Sequence, residues 1–391
     1  MYNICKNNGK ERVALAKVYL DNSATTVVSK GVCDKISYML TQNYGNPSSL
    51  HDKGLQAEQS VEAARISIAR MLGCSKNEIF FTSGGTESNN LAVFGAALKN
   101  KKRGNKIVTT KIEHSSVDEP MKELERQGFE IVYLQPDKYG MITKDQIISA
   151  IDEETILVSM MMVNNEVGSI LPVSEVKSCI KAKGSPAVFH VDAVQAFGKI
   201  PVKVSKIGAD LITVTAHKIH GPKGVGALYK SNKITILPRT FGGSQQKKLR
   251  PGTEPVSLIV GFGAAVDEAF KMQENYDHVK EVRDYLVSEL EKFDGITVNS
   301  SNDAIPYIIN FSVNKIKSET MLHFLSAMGI YVSSGSACAK GQKSRVLTSL
   351  NLPDSIVDSA LRVSFSKHST IDDANELLKG IRAGINRLAK Y

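Results

Sequence analysis

Four short stretches of this chain hold residue types that could do chemistry at a shared site. Lys218 follows the apolar run 210–214, within Thr215-Ala216-His217-Lys218-Ile219-His220-Gly221-Pro222-Lys223-Gly224. Low-dielectric surroundings favour the neutral, nucleophilic amine of such a lysine, although a surface-loop lysine reads the same way. Asp192 stands in His190-Val191-Asp192-Ala193-Val194-Gln195, at the C-terminal end of an apolar run. Open α/β sheets bind ligands at that end of their strands. A buried carboxylate there needs a cation or strong donors. It would either cap the next helix or serve as counter-ion to a protonated heterocycle. The run Thr82-Ser83-Gly84-Gly85-Thr86-Glu87-Ser88-Asn89-Asn90 joins a strand to a helix. Its glycines and the helix's free N–H groups suit an anion such as phosphate, or simply the geometry of the turn. Cys338 lies among small residues in Val332-Ser333-Ser334-Gly335-Ser336-Ala337-Cys338-Ala339-Lys340-Gly341, with Lys340, Lys343 and Arg345 nearby. Positive neighbours favour a thiolate, so Cys338 is the candidate reactive thiol.

The elements that must position these residues follow from periodicity. Apolar runs at 78–82, 106–110, 131–134, 156–160, 188–192 and 210–214 predict strands, several covered on both faces. Helical patterns lie between them; Ala57, Val61, Ala64, Ile68 and Leu72 form one apolar face. This alternation predicts a mostly parallel, doubly wound α/β sheet. The last third predicts a smaller α+β domain. It holds a long helical stretch from about Leu258 into Lys292, short strands at Ile305–Ile309 and Ile330–Ser333, and a final helix capped by Ser369 or Thr370. The expected division is an N-terminal extension 1–17, a large domain 18–258, whose first residues pack with the small one, and a small domain 259–391.

Composition narrows the function classes. Lys and Arg total 49 against 40 acidic residues, and the +9 excess is scattered rather than striped, which disfavours a nucleic-acid-binding module. The five cysteines are widely spaced without a CxxC, so neither a disulfide framework nor a metal site is expected. That usage suits a reducing, cytoplasmic setting. No run approaches the ~18 apolar residues of a membrane span, and residues 1–17 lack the apolar region of a secretory signal. Cys33, Cys74 and Cys179 read as packing residues, as does the run Met160–Met162. His190 and His220 read as structural.

Taken in order, the four stretches resemble the NifS/IscS-type cysteine desulfurases, pyridoxal-phosphate (PLP) enzymes of the class V aminotransferase-like group. Supporting motifs are Tyr19-Leu20-Asp21-Asn22-Ser23-Ala24-Thr25-Thr26, Tyr44-Gly45-Asn46-Pro47-Ser48-Ser49-Leu50-His51, Glu113-His114-Ser115-Ser116-Val117, Val163-Asn164-Asn165-Glu166-Val167-Gly168 and Arg250-Pro251-Gly252-Thr253-Glu254-Pro255. The likeness runs from about residue 18 to the C-terminus. It implies the fold type I, aminotransferase-like architecture with PLP as cofactor. It also implies roles. Lys218 would form the Schiff base, Asp192 would pair with the pyridine nitrogen, Gln195 would bond the ring hydroxyl, and His114 would stack on the ring and move protons. Gly85, Thr86, Thr215 and His217 would hold the phosphate, with Thr253 reaching over from a second subunit of a homodimer. Asn165 and Arg362 would bind the carboxylate of L-cysteine. Cys338 would accept the sulfur as a persulfide, releasing alanine, and pass it to an acceptor protein, an iron–sulfur scaffold or a thiolation enzyme.

The segment after Cys338, Ala-Lys-Gly-Gln-Lys-Ser-Arg, is short and basic and lacks the Pro-Ser-His ending common in that branch. Rival readings are a selenocysteine lyase, which would prefer selenium, and another class V aminotransferase-like enzyme, which would not need Cys338. A non-catalytic scaffold is disfavoured by the presence of Lys218, Asp192 and Cys338 together.

Overall fold

The computed structural model describes residues 18–334 and 343–388. In chain order the elements are β1 (Val18–Tyr19), α1 (Lys30–Thr41), α2 (Asp52–Leu72), β2 (Ile79–Thr82), α3 (Gly85–Asn100), β3 (Lys106–Thr110), α4 (Ser115–Arg126), β4 (Glu130–Leu134), α5 (Lys144–Ala150), β5 (Thr155–Met161), α6 (Val173–Ala182), β6 (Val188–Asp192), α7 (Val204–Ile207), β7 (Leu211–Thr215) and β8 (Gly226–Lys230). They continue with α8 (Val256–Glu268), α9 (Met272–Leu290), β9 (Ile296–Val298), β10 (Ile308–Val313), α10 (Ser318–Ala327), β11 (Ile330–Tyr331), α11 (Arg345–Ser349), α12 (Asp354–Asp358), β12 (Ala360–Ser364) and α13 (Ile371–Arg387).

A seven-stranded sheet has the order β2-β8-β7-β6-β5-β3-β4. Its strands are parallel except β8, which runs antiparallel to both β7 and β2. Successive side chains bury on opposite faces. Phe80, Leu157, Val188, Leu211 and Leu228 pack with α3 and α4, whereas Phe81, Val158, Phe189, Ile212 and Ala227 join the larger core on the other side. Two-sided burial explains why these strands read as continuous apolar runs. A three-stranded sheet, β12-β10-β9, is antiparallel, and β1 pairs with β11. The first residues described therefore pair with the C-terminal part of the chain. Helix α8 packs on α1 and α2. A Cβ on Gly263 would fall 2.7 Å from the Ala64 backbone, so α2 and α8 approach closely only because that residue has no side chain.

Several expectations need correction. The long helix predicted from Leu258 to Lys292 is two helices, α8 and α9, parted by a 3-10 turn at Ala269–Lys271. The strand expected at 305–309 runs from Ile308 to Val313, and strand β8 was not foreseen. Thr370, rather than Ser369, caps the last helix, and its hydroxyl accepts from the Asp373 N–H. Cys33 is exposed on α1, so it is not a packing residue, whereas Cys179 is buried. His190 is buried between Ser159 and Thr213, and Met160–Met162 lie in the core. Among the described residues no helix is long and apolar enough to cross a membrane.

The loops at the C-terminal ends of the strands are tied by buried polar groups. Glu113 is fully buried; its Oε1 accepts from the Thr110 hydroxyl at 2.6 Å and from the Met161 N–H at 3.0 Å, joining β3 to β5. Its Oε2 has no partner. Burial pushes the carboxyl up to about 8, so at neutral pH it holds a proton. The Glu166 carboxyl is pushed up to about 7 by the same cause. The native chain thus keeps protons that the unfolded chain has released above the ordinary carboxylate range of about 4.3. Stability therefore falls as pH rises from that range towards 8. Glu113→Gln, which keeps the acceptor and needs no proton, is expected to flatten part of this fall. In urea unfolding at pH 5.5 and 8.5 it should gain on the order of 2 kcal/mol over the parent at the higher pH. An unchanged slope would show that Glu113 is ionised in the fold.

Candidate active site

The ends of β2, β3, β5, β6 and β7 lie on one edge of the sheet, and the predicted residues gather there. A cavity of about 270 Å³ is lined by Gly85, Thr86, His114, Asn165, Asp192, Gln195, Thr215, His217 and Lys218, together with Ala24, Ser116 and Val194. The turn from β2 into α3 makes its floor possible. Gly84 adopts φ +155°, and a Cβ on Gly226 of neighbouring β8 would meet the Gly84 Cα at 2.8 Å, so neither position accepts a side chain. Helix α3, 16 residues long, starts at Gly85 with no side-chain cap on its first N–H groups. Those donors and the helix dipole give the cavity an anion-binding end.

Asp192 closes β6 and is buried. Its Oδ2 accepts from Asn89 Nδ2 and its Oδ1 from the Val194 N–H, at 2.8 and 2.9 Å. The carboxylate thus has donors but keeps room for one more on its cavity side. Asn89 Nδ2 also donates to Ser116 Oγ at 2.8 Å, and Ser116 Oγ lies 2.8 Å from His114 Nδ1. The Ser116 N–H donates to that same nitrogen, so Nδ1 is an acceptor and the neutral ring carries its proton on Nε2. His114 keeps an open face towards the cavity, yet dense protein around it pulls the imidazole below its ordinary value; the Asp192 charge opposes this. Asn89 and Ser116 had no role assigned from the sequence. The only clue was a polar residue on the inward face of α3, four positions after Gly85.

Lys218 sits in a 3-10 turn directly after β7. Its Nζ donates to the carbonyls of Ser23 and Ala24, the latter at 2.7 Å. The Ser23 carbonyl also accepts from Gln195 Nε2 at 3.0 Å. The segment after β1 therefore anchors two cavity residues from different loops. Desolvation, helped by the charges of Lys218 and Lys223, pulls His217 down to about 4, so its ring is neutral. Its Nδ1 lies 3.3 Å from Thr25 Oγ1. The Thr215 hydroxyl donates to the Val225 carbonyl at 3.2 Å and would have to turn to meet a ligand.

Arg362, on β12, is buried beside the cavity. Its guanidinium donates to the Asn165 carbonyl at 3.0 Å and pairs with Asp21 at 2.8 Å. Its Nε and the Asn165 Oδ1 are buried without partners, which marks a place where a ligand would complete the hydrogen bonding. The backbone of Arg362 bridges to Ser333, from which the chain leads towards Cys338. Cys338 and Lys340 lie outside the described residues, as does Cys5. The cations expected to favour a thiolate there are engaged elsewhere: Lys343 with Asp354 and Asp358, and Arg345 with Asp118 and two backbone carbonyls. Thr253 is exposed and does not line the cavity.

The class-V aminotransferase family pattern matches residues 18–377. The chain is 40% identical to the cysteine desulfurase IscS of Dictyoglomus turgidum over 377 residues, 95% of each protein. It is 40% identical to that of Methanosarcina thermophila, covering 95% of this chain and 92% of the relative. Among solved structures, a NifS-like protein superposes with a TM-score of 0.91 at 37% identity, over 95% of this chain and all of that one. The NifS-like protein of Rickettsia africae gives 0.84 at 30% identity over 95% and 99%. With its mostly parallel sheet, the fold is the type I architecture of those PLP enzymes. The chain belongs to the class-V aminotransferase family and, within it, to the PLP-dependent cysteine desulfurases, which act on L-cysteine and pass its sulfur to an acceptor.

Proposed function

We propose that the cavity between α3 and Lys218 is the PLP and L-cysteine site of this desulfurase, with Cys338 as the sulfur acceptor. One observation carries this reading: the amine of Lys218, the buried carboxylate of Asp192 and the uncapped start of α3 border one cavity. These groups fit the cofactor's aldehyde, ring nitrogen and phosphate respectively. Bound PLP supplies an electron sink for charge developing at the substrate's α-carbon.

The chain's residues do the rest. Asp192, held by Asn89, keeps a proton on the ring nitrogen. Gln195 would donate to the ring hydroxyl, and His114 would offer its neutral Nε2–H imidazole face to the ring. Gly85, Thr86, Thr215 and His217 take the phosphate. Lys218 would hold the cofactor through its amine and is placed to take up the substrate's α-proton. Arg362 and Asn165 bind the substrate carboxylate, for which a guanidinium is suited. The Cys338 thiolate takes the substrate sulfur. The substrate's C–S bond breaks, an S–S bond forms on Cys338, and alanine leaves. The persulfide then goes to an iron–sulfur scaffold or a thiolation enzyme, in a cytoplasmic setting.

We further propose a homodimer in which Thr253 reaches the partner's phosphate site. Val27, Tyr38, Leu40, Tyr44, Leu50 and Leu55 expose large apolar surface within one short span of sequence, and Phe241 does so near Thr253. Covering such exposed apolar side chains would favour association of two copies. The two-lobed division near residue 258 belongs to this reading, the second lobe carrying the Cys338 segment and Arg362.

The direct test loads parent, Lys218→Ala and Cys338→Ala with PLP, and measures visible absorbance, alanine and sulfide with L-cysteine and a reductant. Lys218→Ala is expected to lose the lysine-linked absorbance. Cys338→Ala should keep it and lose both products. Products surviving in Cys338→Ala would remove Cys338 from the reaction. Arg362→Lys should raise KM for L-cysteine roughly tenfold or more while leaving PLP binding unchanged, because an ammonium cannot replace the planar fork; an unchanged KM would place the carboxylate elsewhere. Sedimentation should give a dimer, with Thr253→Ala weakening PLP retention. A monomer with full PLP affinity would overturn the cross-subunit role.

A further inference from the structure

Lys199 is a buried lysine that the proposed chemistry does not use, and it sits directly behind the cofactor cavity. Its Nζ donates to Gln195 Oε1 at 3.1 Å. The other end of that amide, Nε2, donates to the Ser23 carbonyl, which also accepts from Lys218. Lys199 and Lys218 border a second, small cavity of about 30 Å³. We propose that Lys199 is a positioning residue: it clamps the carbonyl of Gln195 so that the amide NH2 stays turned towards the cofactor's ring hydroxyl. This rests on the role given to Gln195 above.

The argument is one of donors and acceptors. A lysine ammonium only donates and a backbone carbonyl only accepts, so the two partners fix which end of the amide is which. Nε2 carries two hydrogens. One goes to Ser23, and the second is left for a ligand oxygen. Without Lys199 the Gln195 carbonyl would be a buried acceptor lacking its donor, and the amide would turn to find one. A lysine buried for fold stability alone would be expected to meet a carboxylate. Among the described residues, the charged or titratable groups around Lys199 are instead Lys218, Arg362, His217, His220 and Lys367, with the Tyr307 ring centre 5.5 Å from its Nζ. Burial, aided by the charges of Lys218 and Arg362, pulls Lys199 down to about 7. As ammonium or as amine it has an N–H for Gln195, and the acceptor-only Ser23 carbonyl holds Nε2 in either form, so the clamp holds across neutral pH.

The test uses full-length Lys199→Met, Lys199→Gln, Gln195→Leu and the double variant Lys199→Met/Gln195→Leu, each shown to be folded by thermal denaturation. Two quantities are read: the PLP dissociation constant of the apoprotein, and the pH midpoint of the bound-cofactor absorbance. An N–H on the ring oxygen stabilises its negative charge, so losing it should raise the midpoint. Lys199→Met is expected to weaken PLP binding about tenfold and raise the midpoint by about one unit, the scale of one charged hydrogen bond. Lys199→Gln, which keeps a donor and drops the charge, should stay near the parent. In the Gln195→Leu background, Lys199→Met should change nothing further. Parent-like values for Lys199→Met, or equal shifts in both backgrounds, would overturn the proposal. So would a Lys199→Gln variant with both quantities fully shifted, which would assign the effect to charge. No effect of Gln195→Leu alone would instead overturn the role given to Gln195.

Discussion

Asp192 ends a strand that is covered on both faces, and its carboxylate must find donors without help from bulk water. That requirement organises one side of the cavity. The Val194 N–H turns back onto it, and Asn89 reaches it from α3. Because Asn89 divides its NH2 between Asp192 and Ser116, the same contact fixes the hydroxyl that faces His114. A carboxylate on β6, a helix after β2 and a histidine after β3 are thereby held in one arrangement. Losing one partner of such a network leaves the others with buried, unpaired groups, so the arrangement is stiff. A planar aromatic ligand with a basic nitrogen would meet a surface whose hydrogen bonds are already directed.

The opposite side depends on connections between distant parts of the chain. Arg362 comes from β12, yet it pairs with Asp21 after β1 and with the Asn165 carbonyl after β5. Ser344, which caps α11, donates to the buried Glu166 at 2.5 Å. The two ends of the segment that carries Cys338 are thus tied to residues next to Asn165: Ser333 through the backbone of Arg362, and Ser344 through Glu166. On the proposed reading, the base of the sulfur-accepting segment and the substrate carboxylate site are built from the same contacts. A buried ion pair of this sort adds little net stability. Its value here is orientation: Asp21 and the Asn165 carbonyl hold the fork of Arg362 while leaving its Nε without a partner.

The sequence was informative where burial has a simple period. Strands such as Val188–Asp192 and Leu211–Thr215 are apolar on successive residues because each face of the sheet has its own core. Strand β8 escaped because it opens at Gly226, follows a glycine-rich loop and runs against its neighbours, so it belongs to no β–α alternation. The break between α8 and α9 escaped for another reason. The turn at Ala269–Lys271 contains neither Pro nor Gly, and both helices bury an apolar face, so the period carries through it. Lys218, Asp192 and Gly85 were legible as motif residues at predicted strand ends. Asn89, Ser116 and Lys199 were not, because what they do depends on partners brought in by folding: Asn89 meets Asp192 across 103 positions. Even Lys199, four residues from Gln195, reads as an ordinary surface lysine until the burial of both is known.

Charge placement gives these pieces a common logic. Lys218, Arg362 and Lys199 crowd one region, and their field reaches the nearby histidines: Lys218 opposes a proton on His114 and on His217. Such a cluster is costly in a low-dielectric setting unless an anion shares it. On the proposed reading, cofactor and substrate would bring two anionic groups, a phosphate and an amino-acid carboxylate, to this cluster. The histidines are neutral chiefly because they are desolvated; Lys218 adds to the effect, and at His114 the Asp192 charge opposes it. With no positive charge of its own, His114 can present a ring face and an Nε2 proton without competing with the lysine and arginine for those anions. Desolvation of the imidazoles and cations placed a little behind the surface, where Lys199 and Arg362 are buried, thus act in one direction: neutral rings beside a cavity that favours anions.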